Sequence, residues 1–228
     1  MTRDSTRRTV IQRILTGIAM AAFFVGVFAA PAAAASKADD VDALLEQLAK
    51  IETLAADFTQ ERRDAQGRVK RESTGTFVLR RPGQFFWRYE TPYVQELIAN
   101  DDKLWVYEPD LRQASRSPLS ATEGAPIAIL TGQRPVDEVF RVRHLESEGG
   151  LNWFALRPLD EQGDFREVLL GVDEQGIREM RFIDQLDQTT RVSFESRRFN
   201  QSVDESAFEF EAPDGVDVVE AREPPAIQ

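Results

Sequence analysis

Cysteine is absent from the 228-residue chain and histidine occurs once, at His144. Without cysteine no disulfide framework holds the fold, and no lipobox cysteine is available to carry an acyl anchor. Zinc sites with the usual nitrogen and sulfur ligands cannot be assembled, Cys-His pairs are excluded, and a Ser-His-Asp triad has one possible base. No Gly-rich phosphate loop, G-x-S-x-G elbow or EF-hand spacing occurs, so neither cofactor nor metal is implied. His144 shares strand parity with Phe140 and Val142 and reads as a half-buried sheet residue. Positive charge is also short, with 28 Lys and Arg against 39 Asp and Glu and a net charge of −11. A surface of that sign disfavours nucleic acid and anionic lipid headgroups and keeps a protein soluble. Carboxylates are numerous enough to supply a glycosidase pair, but nothing in their spacing singles one out.

Long apolar runs are nearly absent too, the exception being residues 14–30. Arg3, Arg7, Arg8 and Arg13 precede this run and a small-residue tract at 32–35 follows it, which is the pattern of an export signal with an A-x-A cleavage site. The reading is a signal peptide over 1–35 and one domain over 36–228, with a frayed tail at 221–228. An uncleaved membrane anchor is the alternative, since seventeen apolar residues lie at the short edge of what spans a bilayer.

Past residue 36, Asp39 and Asp40 are placed to cap a helix whose apolar residues Val41, Leu44, Leu45, Leu48 and Ile51 fall at helical spacing. From Leu54 the period changes to two. Alternation and turn chemistry predict strands near 54–63, 69–80, 84–90, 94–99, 103–108 and 111–115, broken at Gln66-Gly67, Pro82-Gly83, Asn100-Asp101-Asp102 and Pro109-Asp110. Residues 116–137 are rich in Ser, Pro and Gly, and Pro126, Ile127, Ala128, Ile129, Leu130 and Gly132 suit a short helix with Pro in its first turn and Gly beyond its end. Strand signals resume at 139–145, 152–158, 165–172, 177–184, 189–199 and 207–210. So many short strands with hairpin-length links imply a mainly β fold, an antiparallel sheet of about eleven to twelve strands that curls on itself, with two helical segments to cover it.

Aromatic parity carries the functional reading. Phe85, Trp87 and Tyr89 lie on one face of their strand, and in the strand before it Gly75, Phe77, Leu79 and Arg81 share a face. If Phe77 and Leu79 point inward, so does Arg81 at the sheet's end, where its guanidinium requires acceptors such as loop or helix carbonyls. Parity alone leaves a second orientation open, with Pro82-Gly83 turning the chain first and Arg81 in solvent. Phe77, Phe85, Trp87 and Trp105 read either as ordinary core or as the wall of a cavity. The cavity reading follows from a sheet of this size enclosing more volume than one helix and one apolar turn fill.

Three stretches then carry a resemblance. Ala56-Asp57-Phe58-Thr59-Gln60, the block Gly75-x-Phe77-x-Leu79-x-Arg81-Pro82-Gly83-x-Phe85-x-Trp87-x-Tyr89-x-x-Pro92, and Asp101-x-Lys103-Leu104-Trp105-x-Tyr107-x-Pro109-x-Leu111-x-Gln113 resemble the LolA-type outer-membrane lipoprotein carrier proteins. The similarity continues through residues 125–130 and 187–190 to Phe208-Glu209-Phe210-x-x-Pro213-x-Gly215-Val216-Asp217. The resemblance implies an unclosed antiparallel half-barrel with an α-helical lid, formed by Pro126, Ile127, Ile129 and Leu130. It places the family's cavity aromatics at Phe85 and Trp87 and a latch at Arg81 that hydrogen-bonds lid carbonyls; joined to the parity above, the expected acyl-chain cavity is lined by Phe77, Leu79, Phe85, Trp87, Tyr89 and Trp105. It further implies a periplasmic monomer without enzyme activity, whose partners are acylated lipoproteins, an inner-membrane ABC transporter and an outer-membrane receptor. The chain departs from the family in having Asp101-Asp102 where an Asp-Gly turn is common, and in its acidic, proline-containing tail. A periplasmic lipid- or lipoprotein-sensing domain and an enzyme of envelope carbohydrate are the alternatives from other classes.

Overall fold

The computed structural model describes residues 32–100, 103–119, 127–132, 134–160 and 163–221. The predicted signal peptide up to residue 31, the Asp101-Asp102 turn, Pro126 and the tail beyond residue 221 lie outside the described residues. Twelve strands form one sheet: β1 (Thr53–Arg63), β2 (Val69–Arg80), β3 (Gln84–Thr91), β4 (Gln95–Asn100), β5 (Lys103–Glu108), β6 (Gln113–Pro118), β7 (Phe140–His144), β8 (Asn152–Pro158), β9 (Phe165–Asp173), β10 (Gly176–Asp184), β11 (Thr189–Phe199) and β12 (Asp217–Glu220). Their spatial order is β12-β6-β5-β4-β3-β2-β1-β11-β10-β9-β8-β7. All neighbours are antiparallel except β12, which pairs in parallel with β6, so the sheet stays unclosed with β7 and β12 at its edges.

The order follows from the links. Each strand from β1 to β6 turns directly onto the next, as does each from β7 to β11, and the two meanders join where β1 pairs with β11. Period-two alternation then sends one set of side chains to a shared face. Leu54, Phe58, Phe77, Leu79, Phe85, Leu104, Phe154, Leu170, Met180 and Phe194 are all buried in one apolar cluster on it. Helix α1 (Ala32–Ala49) buries Leu44 and Leu48 in the same cluster, and α2 (Ile127–Thr131) adds Ile129 and Leu130. Gly75 is required by a close approach: a Cβ there would meet the Arg88 carbonyl oxygen at 1.8 Å and the Phe58 ring at 2.9 Å. Phe58 therefore lies over a backbone left bare for it.

Some local expectations are corrected. The first helix does not start at a cap formed by Asp39 or Asp40; it runs from Ala32, because the alanines ahead of that pair are strong helix formers. The strand expected at 111–115 begins only at Gln113, since Pro109–Leu111 forms a single 3₁₀ turn ending at Arg112 with φ 51°. Residues 207–210 are not a strand. Asp204 caps a 3₁₀ turn over Glu205–Phe208, its carboxylate accepting from the Ser206 amide at 3.0 Å, and the chain reaches the sheet only at β12. A further helix, α3 (Val136–Val139), enters β7 where a strand was expected to start at residue 139.

Candidate functional site

Register stacks the inner face of β1 to β4 into rungs. Leu54, Leu79, Phe85 and Ala99 form one, and Ala56, Phe77, Trp87 and Leu97 the next. Phe58, Gly75, Tyr89 and Gln95 follow, and Gln60 lies opposite Ser73 beyond them. The aromatic rings touch across these rungs: Phe58 to Trp87 at 4.6 Å between centroids, Phe77 to Trp87 at 4.9 Å, and Phe58 to Tyr89 at 5.3 Å, edge on. Phe194 on β11 closes the group at 5.9 Å from Phe77. Burial pushes the Tyr89 phenol up, so it stays protonated and donates to Gln60 Oε1 at 3.0 Å.

The face is not left open. Leu44, Leu48, Ile51, Ile129 and Leu130 pack onto it, each buried. Burying an apolar side chain of this kind is worth about 1.5–3 kcal/mol, so the covering helices are held chiefly by apolar contact.

Arg81 joins the two helices to the sheet. It leaves the end of β2 on the side of Leu79, and its Nε donates to the Leu130 carbonyl at 2.8 Å and Nη2 to the Ile129 carbonyl at 3.1 Å. Nη1 donates to the Leu48 carbonyl in the last turn of α1. These carbonyls lie at helix C-termini, which carry partial negative charge and suit a cation; that of Leu48 also accepts from the Ile51 amide at 3.2 Å. Burial lowers the guanidinium's pKa, but an arginine keeps its proton in any protein setting. The adjoining backbone adds bonds of its own, Arg81 N to the Glu52 carbonyl at 2.8 Å and Gly83 N to the Thr131 carbonyl at 3.1 Å. Gly132 ends α2 at φ 63°, and a Cβ there would stand 2.7 Å from Arg81 Nε. Glycine therefore serves twice, as the left-handed helix stop and as space for the guanidinium.

Of the residues picked from sequence, Phe77, Leu79, Phe85, Trp87 and Tyr89 come together on the covered face, with Arg81 at its end. Ile129 and Leu130 pack against it, and Ile127 opens α2. Trp105 is corrected. Leu104 and Val106 take the inner positions of β5, opposite Ala99 and Leu97, so Trp105 points to the convex face. There it packs at a tilt against Phe210 at 5.1 Å, beneath the Arg116 guanidinium at 5.2 Å. Sequence reasoning missed Leu54, Phe194 and the Leu48 carbonyl. Parity along β1 was the available signal for Leu54; the other two are tertiary encounters with none.

Three buried polar atoms have no hydrogen bond among the described residues: Trp87 Nε1, Ser117 Oγ and His144 Nδ1. His144 Nδ1 lies 3.1 Å from Asp40 Oδ2 of α1, a contact that becomes an ion pair when the imidazole is protonated. Trp87 Nε1 is near enough to the Tyr89 hydroxyl to favour its ionised form slightly, yet the two do not reach hydrogen-bond geometry.

Comparison with known proteins bears on the family and the fold. The sequence model of the family described as Outer membrane lipoprotein carrier protein LolA matches residues 49–211. An outer-membrane lipoprotein carrier protein of Methylococcus capsulatus is 38% identical over 74% of this chain and 81% of its own. One from Hahella chejuensis is 37% identical over 81% of this chain and 90% of its own. The fold alone is shared with an uncharacterized conserved protein from Thermus thermophilus, at 13% identity and a TM-score of 0.51, over 81% of this chain and 99% of that one. The family match runs from the end of α1 through the Arg81 block to the convex-face turn at Phe208, and the chain belongs to the LolA family of outer-membrane lipoprotein carrier proteins.

Proposed function

We propose that this protein is a periplasmic chaperone that holds the acyl chains of lipoproteins against the inner face of β1 to β4 while α1 and α2 swing aside. Residues 1–35 serve as its export signal and are removed. The observation that carries the reading is a continuous apolar face covered by two helices whose C-terminal turns are pinned by Arg81.

The energetics suit transfer. Burying acyl chain contributes about 0.8 kcal/mol per methylene, so one long chain avoids water by on the order of 10 kcal/mol. A bare apolar face of matching capacity would aggregate, hence the cover. Hydrogen bonds from a charged group are worth roughly 1.5–3 kcal/mol each, enough to favour the covered state when empty and little enough for acyl burial to overcome. Nothing in the sequence resembles a nucleotide site, so loading draws its energy from an inner-membrane ABC transporter. Release runs to an outer-membrane receptor that binds the cargo more tightly. The carrier acts as a monomer and performs no covalent chemistry.

Native mass spectrometry of the protein isolated from its own periplasm tests this. The expected spectrum contains a 1:1 complex with acylated protein. Only bare protein, under conditions where lipoprotein export is active, would argue for a different role.

A further inference from the structure

The inner face changes character at one level. Its first two rungs on β1 to β4 are apolar throughout, the third brings in Tyr89 and Gln95, and the fourth pairs Gln60 with Ser73. Trp87 sits on the last apolar rung, 7% exposed, and its indole N–H donates to nothing among the described residues. Buried donors are nearly always paired, because an unpaired one forfeits its hydrogen bond to water without return. This donor lies where a hydrophobic chain would end and a polar head begin.

We propose that Trp87 Nε1 is the binding group for an ester carbonyl of the cargo's diacylglycerol, with the hydrocarbon running from Trp87 past Phe85 toward α1 and α2. The assignment rests on the carrier reading above. A hydrocarbon tail offers no acceptor, and its first one is the carbonyl at its head. An ester fits better than an amide: indole is a donor only, an ester is an acceptor only, and an amide would bring its own N–H into an apolar rung that has no acceptor for it. Tyr89 already donates to Gln60, which leaves the indole as a donor without a hydrogen bond among the described residues at the boundary.

The test compares a synthetic lipopeptide bearing a diacylglycerol group on its N-terminal cysteine with its di-ether counterpart, which lacks both ester carbonyls. Titration against the periplasmically isolated protein should show the ester form bound about five- to tenfold more tightly, the range expected for one neutral hydrogen bond. In Trp87→Phe the ester-to-ether ratio should fall to about one, whatever happens to overall affinity. An unchanged ratio in Trp87→Phe, or equal binding of both lipopeptides by the unsubstituted protein, overturns the assignment while leaving the carrier reading intact. Binding of neither lipopeptide overturns the carrier reading and the assignment with it. The comparison in the unsubstituted protein decides the matter even if Trp87→Phe does not fold.

Discussion

Arg81 donates to carbonyls of both covering helices, and its removal separates closure from folding. Arg81→Leu keeps an apolar stem beside Leu79, so the sheet should fold normally while the empty covered state loses its charge-assisted bonds. A carrier whose covered state is weakened binds acyl chains more tightly, because less free energy is spent on opening. Dissociation of a bound lipopeptide from Arg81→Leu should slow about tenfold or more, measured by stopped-flow transfer to vesicles; unchanged release would separate Arg81 from closure. Gly132→Ala probes the same contact from the other side. Its Cβ would push on the guanidinium and its φ of 63° is unfavourable for alanine, so a loss of about 1 kcal/mol is expected in chemical denaturation. Arg81 was half-legible in the sequence, since parity offered an inward and a solvent orientation and the family resemblance favoured the first. The space at Gly132 was not legible, because a helix-stop glycine looks the same whether or not a side chain from another element lies against it.

At the scale of elements, the junction between α1 and β1 is tied down by Asn200 at the end of β11. Its side chain donates to the Lys50 carbonyl at 2.9 Å and accepts from the Glu52 amide at 2.8 Å, and its amide donates to the Thr53 carbonyl at 2.9 Å. Asparagine tolerates the φ of 54° found there better than alanine does. Asn200→Ala should therefore loosen the C-terminal end of α1 and lower the unfolding midpoint by several degrees, at about 2–4 °C per kcal/mol for a chain of this size. Leu130→Asp in α2 places a charge at a site 1% exposed in the covered state, where it favours the uncovered one. Most strands were legible because alternation and hairpin turns are local signals. The 3₁₀ turn over Glu205–Phe208 was misread as a strand because the apolar residues Phe208 and Phe210 alternate there while packing on the convex face instead of pairing in the sheet. Trp105 was misassigned for a related reason: the aromatic residues of β5 are its outward set, and only pairing with β4 reveals which set faces in.

At the scale of the whole molecule, three carboxylates and one phenol among the described residues contribute to the pH limits of stability. Desolvation opposes ionisation of Asp64, but hydrogen bonds from Arg68, Lys70 and the Gln66 amide prevail and hold it at about 2. Burial likewise works against Asp173, yet its two-bond pairing with Arg197 keeps its pKa below the usual range, and the Ser206 amide and hydroxyl lower that of Asp204. A carboxylate depressed in the folded state stabilises above its unfolded pKa, and that contribution fades as pH falls through the folded value. Tyr89 is the reverse case, raised by burial, with its contribution intact below about pH 10 and lost above it. Thermal unfolding should therefore show a plateau bounded near pH 4 and pH 10. Asp64→Asn should flatten part of the acid limb and Tyr89→Phe part of the alkaline limb; identical limbs in both variants would remove these groups from the account.

Hydrogen–deuterium exchange of the periplasmically isolated protein, with and without a triacylated lipopeptide, reaches the central point, that α1 and α2 cover an acyl-binding face and leave it on loading. Amides of 44–49 and 127–131 should exchange faster when lipopeptide is bound, while those of β1 to β4 hold or gain protection. Lipopeptide binding that leaves both helices as protected as before would contradict the account.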